Sequence, residues 1–498
     1  MSTSAGAEVR ARLTHPVIDA DGHWLELQPV FLDYVRDVAG PRILEAYLKG
    51  SGRNYGRRWY EATPEARRGE RIRRPGWWLL PTNARDRAAA MIPRLFRAQL
   101  DEWGIDLALV YPTFGFTLPG IEDEEMRRAL VRSYNAMAAD LFRPYADRII
   151  PAAVVCLNTP QEALDELENV RALGMKLVMM NGTIKRYVQA DAAWQPDERK
   201  RRVYIDCLAM DSPYDYDCVW QKCVDLGLAV SNHTGSLGWP DRSSPSNFVA
   251  DHLGHFAQSH HYFARGLLLG GVTQRFPQLN FAFLEGGAGW ACNLYADLAG
   301  HWEKRNKTFM HERLKPTNID RKAVRALFEQ YATDGAFRGK IDAILAANLE
   351  CVEPDRTLEE LAARDLDRDE FSAIRVQSAA GLGRLFSRNF YFGCEADDIT
   401  VSWAFDKRLG AELKPLFGSD ISHFDVIDAS TVLHEAWELV ERGLIDEDNF
   451  QAFTFSNAVR LHGGMNGGFF RGTAVEREAS KVLAPHSGAS PSSTGSSS

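Results

Sequence analysis

Asp21 and His23 stand two residues apart at the end of a short apolar run, Val17-Ile18-Asp19-Ala20-Asp21-Gly22-His23-Trp24-Leu25-Glu26. On a strand, residues i and i+2 share a face, so the carboxylate and the imidazole point the same way. Both are borderline-to-hard donors, and side by side they suit a divalent cation such as zinc or manganese. Alone, a D-x-H spacing is equally a solvated strand end or a helix cap. It gains chemical meaning if other strands end in comparable groups, and three do. His233 closes Leu228-Ala229-Val230-Ser231-Asn232-His233, Glu285 closes Leu279-Asn280-Phe281-Ala282-Phe283-Leu284-Glu285, and Asp420 closes Leu416-Phe417-Gly418-Ser419-Asp420. Each has a plain alternative: His233 as a satisfied loop residue, Glu285 as an anchor for Gly286-Gly287, Asp420 as a cap for the next helix.

The elements between these residues decide whether they can meet. The apolar spacing predicts helices over 27–39, 85–103, 122–142, 160–173, 216–226 and 253–276. Short apolar runs predict strands at 107–112, 148–155, 175–180 and 390–395, in addition to the four that carry the candidate residues. Eight strands alternating with helices, most of them apolar on both faces, predict an α/β fold, a (β/α)8 TIM barrel over residues 14–470. The C-terminal ends of such strands converge on one mouth, which would bring Asp21, His23, His233, Glu285 and Asp420 together. Residues 50–81, rich in Arg, Gly and Trp, predict a long excursion of the kind that forms lids or subunit arms. Residues 295–388, between strands six and seven, predict a helical insertion over the mouth, with an oligomer contact as the alternative. The Ser- and Gly-rich stretch within 474–498 predicts a disordered tail.

The chain has 498 residues, 45% hydrophobic and 25% charged, which suits one large domain with insertions or two smaller ones. A net charge of -9 argues against a general nucleic-acid binder, which needs a basic face. The basic runs at 67–74 and 199–202 read as solvated faces, or as a rim that attracts an anionic substrate or a partner subunit. Seven cysteines without a C-x-x-C pair predict free thiols in a reducing compartment. Residues 1–12 lack the apolar core of a signal peptide, and no run of 18 apolar residues occurs, so a cytoplasmic protein without a membrane partner is expected.

Three strand-end segments also carry a resemblance. Ile18-Asp19-Ala20-Asp21-Gly22-His23 resembles the opening strand of the amidohydrolase-related (amidohydrolase 2) family, in the branch that includes aminocarboxymuconate-semialdehyde decarboxylase. The stretch Arg275 to Gly287 and the stretch Phe417 to His423 resemble that family's sixth- and eighth-strand segments, and the ending Ser456 to Gly463 is similar as well. The likeness runs over about residues 16–468, interrupted by the excursions and the insertion.

The resemblance implies one divalent metal ion, zinc first with manganese or iron as alternatives, on Asp21, His23, His233 and Asp420. Strand four ends Met179-Met180-Asn181, with no lysine to be carbamylated, which argues against a second ion. Asp420 is expected to accept the proton of an activated water and hand it on. The decarboxylase members carry an acid/base histidine on strand six, where this chain has Glu285, which becomes a second acid/base or an orienter of a ligand imidazole. His423, three residues after Asp420, is expected near the mouth as a third catalytic candidate. Trp24, Tyr111, Phe114, Phe116 and Trp239 follow strand ends and form a candidate aromatic wall, with Trp24, Trp239 and His260 taken as substrate-binding. The activity expected is hydrolysis of a C–N or C–C bond in a small organic, often aromatic, molecule. The alternatives are nonoxidative decarboxylation of an aromatic or muconate-type acid, and a barrel that keeps its metal without turnover. A homodimer or higher homo-oligomer is the default assembly.

Overall fold

The computed structural model describes residues 3–50, 57–76, 81–188, 202–348 and 369–484. Trp77, Trp78, the basic run from Arg199 to Arg201, residues 349–368 of the expected insertion and the tail beyond residue 484 lie outside the described residues.

Among the described residues there are ten strands: β1 (Ile18–Trp24), β2 (Leu107–Pro112), β3 (Ile149–Val155), β4 (Leu177–Met180), β5 (Ile184–Tyr187), β6 (Val203–Asp206), β7 (Val230–Asn232), β8 (Phe281–Phe283), β9 (Phe390–Cys394) and β10 (Pro415–Phe417). Eight of them pair in parallel in the order β1-β2-β3-β4-β7-β8-β9-β10, with helices between. Their residues are buried on both faces, as in β2, β4, β7 and β8, and this gives a (β/α)8 barrel. The ring is drawn together at its mouth, where the Asp420 N–H donates to the Asp21 carbonyl (3.0 Å) and the His23 N–H to the Ile421 carbonyl (2.9 Å). Ser419 donates its N–H (3.0 Å) and its hydroxyl (2.6 Å) to the buried Asp19 carboxylate beside this seam. A register shift in β1 between Asp19 and Gly22 accommodates the join.

Several elements differ from expectation for identifiable reasons. Residues 85–103 form two helices, Ala84–Met91 and Pro93–Trp103, because Pro93 lacks an N–H and forces Ile92 into an extended conformation. The helix expected over residues 253–276 is two, His255–Leu269 and Val272–Arg275, split at Gly271 and separated from the preceding Phe248–His252 by Gly254, both glycines left-handed. The polar stretch after strand four contains the antiparallel hairpin β5–β6, tied by the Arg186–Asp206 ion pair (2.5 Å). β7, β8 and β10 are only three residues long, so His233, Glu285 and Asp420 sit in the loops just past them.

The described part of the 50–81 excursion packs on its own chain. Trp59 Nε1 donates to the Pro245 carbonyl (2.7 Å), the Arg74 N–H donates to the Ser244 carbonyl (2.9 Å), and the Arg67 guanidinium lies 3.8 Å over the Trp59 ring. Within the tail expected to be disordered from residue 474, Glu476–Leu483 is a helix with Ala479 buried.

Tyr295–Leu382 forms a second compact unit. Its described residues form helices, chiefly Arg321–Tyr331 and Ile341–Asn348, and no strand. The six described cysteines are free thiols, and no described helix is long and apolar enough to cross a membrane.

Candidate metal centre

The two imidazoles come from β1 and from the residue after β7. His23 Nδ1 lies 3.2 Å from the Pro112 carbonyl, which can only accept, so Nδ1 carries the proton and the Nε2 lone pair faces the barrel mouth. His233 Nε2 lies 3.3 Å from His23 Nε2, 3.4 Å from Asp21 Oδ1 and 3.3 Å from Glu285 Oε2. His23 Nε2 is 3.6 Å from Asp21 Oδ1 and 3.4 Å from Asp420 Oδ1. Two overlapping donor groups result, Asp21–His23–His233–Glu285 and His23–Glu285–Asp420–His423, each with donor atoms within 4.8 Å of one another.

These separations test the fit to a cation. Tetrahedral ligands at roughly 2.1 Å from an ion stand about 3.4 Å apart, close to the spacings here. Asp21 Oδ1 and Glu285 Oε2 are buried and accept no hydrogen bond, and the buried Asp420 Oδ1 stands 2.6 Å from His423 Nδ1. Burial, followed by the Asp420 and Asp21 carboxylates, holds the Glu285 carboxyl well above its usual range. Burial, with Asp425, Glu395 and Asp21 behind it, does the same to Asp420. Burial and the neighbouring imidazoles of His423 and His233 hold His23 well below its ordinary value, so it is neutral and a ligand by chemistry. Orphaned carboxylate oxygens around the imidazoles of His23 and His233 are the donor set that a divalent cation satisfies.

Backbone strain marks the same place. Glu285 (φ 59°), Asp420 (φ 49°) and Ser422 (φ 89°) adopt left-handed conformations without being glycine. Such residues cost about 1–3 kcal/mol each and cluster at functional sites.

Around this centre the sequence candidates divide. His423 stacks on His23 (centroids 3.9 Å apart) and sets Nδ1 2.6 Å from Asp420 Oδ1, so it stands beside the centre as expected. Trp239 lines a cavity of about 1310 Å³ together with His233, Phe116 and Phe256. Phe116 stacks on the His233 ring (5.6 Å, 14°) and Phe256 meets its edge (5.0 Å). Trp24 does not face this cavity. It alternates with His23 along β1, so its ring turns outward against Phe142 and Tyr134 and donates to the Tyr134 hydroxyl (3.3 Å). His260 is also removed from substrate contact: both its nitrogens are engaged, by Asn232 (2.9 Å) and by the Leu284 carbonyl (2.5 Å). Tyr111 is buried against Ser231, and Phe114 is largely exposed.

Nothing in the sequence singles out Glu26, yet its buried carboxylate accepts the N–H groups of Thr113 (3.3 Å), Phe114 (2.9 Å) and Gly115 (2.7 Å). It thereby fixes the turn that presents Phe116. Asp19, buried and raised to about 7 by desolvation, anchors Ser419 and so the Asp420 loop.

A family profile described as Amidohydrolase matches residues 18–358. No curated protein matches the chain. Among solved structures, an amidohydrolase from Mycobacterium avium subsp. paratuberculosis K-10 is similar at 17% identity, covering 91% of this chain and 100% of its own, with a TM-score of 0.49. The 5-carboxyvanillate decarboxylase LigW from Sphingomonas paucimobilis is 15% identical, covering 90% and 99%, with a TM-score of 0.45. A dihydroxybenzoic acid decarboxylase from Polaromonas sp. JS666, with bound manganese and 2-nitroresorcinol, is 15% identical, covering 90% and 97%, with a TM-score of 0.46. The profile match spans more than half of the 498 residues and takes in β1, β7 and β8 with Asp21, His23, His233 and Glu285, and on that match the chain belongs to the amidohydrolase family.

Proposed function

We propose that this chain is a mononuclear metal-dependent hydrolase that cleaves a C–N or C–C bond in a small organic substrate with an aromatic part. One observation carries the reading: the Nε2 atoms of His23 and His233 and the buried oxygens of Asp21, Glu285 and Asp420 form two overlapping donor groups at the barrel mouth. Asp21, His23 and His233 would hold the ion with Asp420 or Glu285 completing the set; zinc suits the spacing, and manganese or iron accept the same donors. When bound, the ion supplies Lewis-acid polarisation of a substrate oxygen and a lowered pKa for water.

The chain's own groups do the rest. Phe116, Phe256 and Trp239 hold the apolar part of the substrate against His233. Asp420 takes the proton of the attacking water, and His423, 2.6 Å away, shares it and returns it to the leaving group. Glu285, beside His233, fixes that imidazole.

A second reading, nonoxidative decarboxylation of an aromatic or muconate-type acid, draws on Arg73. It lines the cavity, and its Nη1 is buried without a hydrogen-bond partner, which suits a substrate carboxylate. Elemental analysis of purified protein beside the Asp21→Ala/His233→Ala variant tests the metal: about one equivalent, lost in the variant, is expected. A panel of amides, esters and aromatic acids, read for released amine or alcohol against carbon dioxide, then separates the two chemistries.

A further inference from the structure

We propose that His260 is a positioning residue, a neutral imidazole strut that locks the ends of β7 and β8 and so sets the spacing of His233 and Glu285. The proposal rests on the reading of those two residues as part of the metal centre.

The hydrogen-bond directions follow from the partners. His260 Nε2 lies 2.5 Å from the Leu284 carbonyl, which can only accept, so Nε2 carries the proton. Nδ1 must then accept, and Asn232 Nδ2 donates to it over 2.9 Å. The amide orientation of Asn232 is fixed independently, because its Oδ1 accepts the Gly182 N–H (2.9 Å). Full burial pushes the His260 imidazole down to about 3, so the neutral form that this pattern needs is the stable one. A chain of side-chain bonds therefore links Gly182 after β4, Asn232 at the end of β7 and Leu284 after β8. The backbone adds one more, from the Leu284 N–H to the Asn232 carbonyl (3.0 Å).

Asn232 and Leu284 immediately precede His233 and Glu285, the pair whose Nε2 and Oε2 lie 3.3 Å apart. β7 and β8 end after only three paired residues, so the ladder does not reach this pair and the strut extends the tie by one step. His260 is aimed there by its helix, His255–Leu269, whose buried stripe Phe256, His260, Phe263, Ala264 and Leu267 packs inward. Gly286 leaves the space: a Cβ there would lie 2.7 Å from His260 Cδ2 and displace the ring.

His260→Phe keeps a ring and removes both hydrogen bonds, whereas His260→Gln keeps one donor and one acceptor on a planar group. Metal-stripped protein is titrated with cobalt(II), and the visible absorption reports both affinity and coordination geometry. His260→Phe is expected to bind cobalt roughly 10–100-fold more weakly with altered band intensities, and His260→Gln to recover part of both. A folded His260→Phe with wild-type affinity and spectrum overturns the proposal. If wild-type protein takes up no cobalt, the metal reading falls, and the strut is then decided by amide hydrogen exchange. Faster exchange at residues 230–234 and 281–287 in His260→Phe supports it, and unchanged exchange overturns it. Should His260→Phe not fold, Asn232→Ala, which removes one of the two bonds, replaces it in the same comparisons, with the same outcomes supporting or overturning the proposal.

Discussion

His23 Nε2 and His233 Nε2 lie 3.3 Å apart although 210 residues separate them in sequence. The His23 Nδ1–H is committed to the Pro112 carbonyl, so its Nε2 presents a lone pair, and His233 Nδ1 is buried without a partner. Two imidazole nitrogens that close require a proton or a cation between them. The orphaned oxygens of Asp21 and Glu285 beside this pair weigh for the cation, since one proton between the rings would leave both unsatisfied.

Removal of the ion is therefore expected to destabilise the fold as well as the site. An ion that binds only the native state stabilises it by about 2.7 kcal/mol at a hundredfold excess over its Kd. Dialysis against a chelator should lower Tm, and added zinc or manganese should restore it. The Asp21→Ala/His233→Ala variant should show neither response. A wild-type Tm indifferent to chelator and metal alike would remove the cation from the account.

His423 offers a way to separate chemistry from metal binding. Its ring stacks on His23 at 3.9 Å while Nδ1 contacts Asp420 at 2.6 Å. His423→Phe preserves the stacking and deletes the proton-handling nitrogen. With the substrate found by screening, kcat should fall by roughly 10²–10⁴-fold while metal content stays at the wild-type level. Loss of metal in this variant would make His423 a ligand instead.

The barrel was legible in the sequence because buried strands and helix boundaries leave local signatures. The helix Pro160–Leu173 has its cap at Thr159 and its stop at Gly174, both visible as residue types. Trp24 was legible too, since strand alternation alone places it opposite His23, and only its nearness in sequence suggested the pocket. The positive φ of Glu285 and Asp420 was not legible, because that conformation ordinarily announces itself by glycine. Glu26 was hidden for another reason: its partners Thr113, Phe114 and Gly115 lie on the next strand's loop, 87 to 89 residues away. His260 was placed near the mouth, but its bonds to Asn232 and Leu284 depend on how its helix packs on the barrel.

Arg127 and Glu162 hold the helices before and after β3 together. The pair is bidentate, at 2.7 and 2.8 Å, and both side chains are almost fully buried. Arg127→Met leaves the Glu162 carboxylate buried without its counter-charge, and a loss of roughly 3–5 kcal/mol is expected in urea unfolding. The double variant Arg127→Met/Glu162→Gln should recover part of that loss, since the uncompensated charge is then gone. A double variant no more stable than the single one would assign the loss to packing instead.

His462 gives the clearest pH dependence, because it lies outside the candidate metal centre. It is buried and stacked on Phe469 at 4.5 Å, and desolvation lowers its pKa from 6.5 to about 3. The folded protein then takes up this proton only near pH 3, whereas the unfolded chain takes it up near 6.5. Below pH 6.5 the unfolded state binds more protons, so the His462 contribution is complete above that pH and is lost as pH falls towards 3. At pH 5 the loss is about 2 kcal/mol for this one group. Asp19, raised to about 7, works in the opposite sense between about 4 and 7, so the total profile is not diagnostic. The difference between wild type and His462→Leu is diagnostic, because Asp19 and the other buried histidines are common to both. Urea unfolding at pH 7 and pH 5 should show the wild type losing about 2 kcal/mol more than the variant, and an equal loss in both would mean that His462 is protonated in the folded protein.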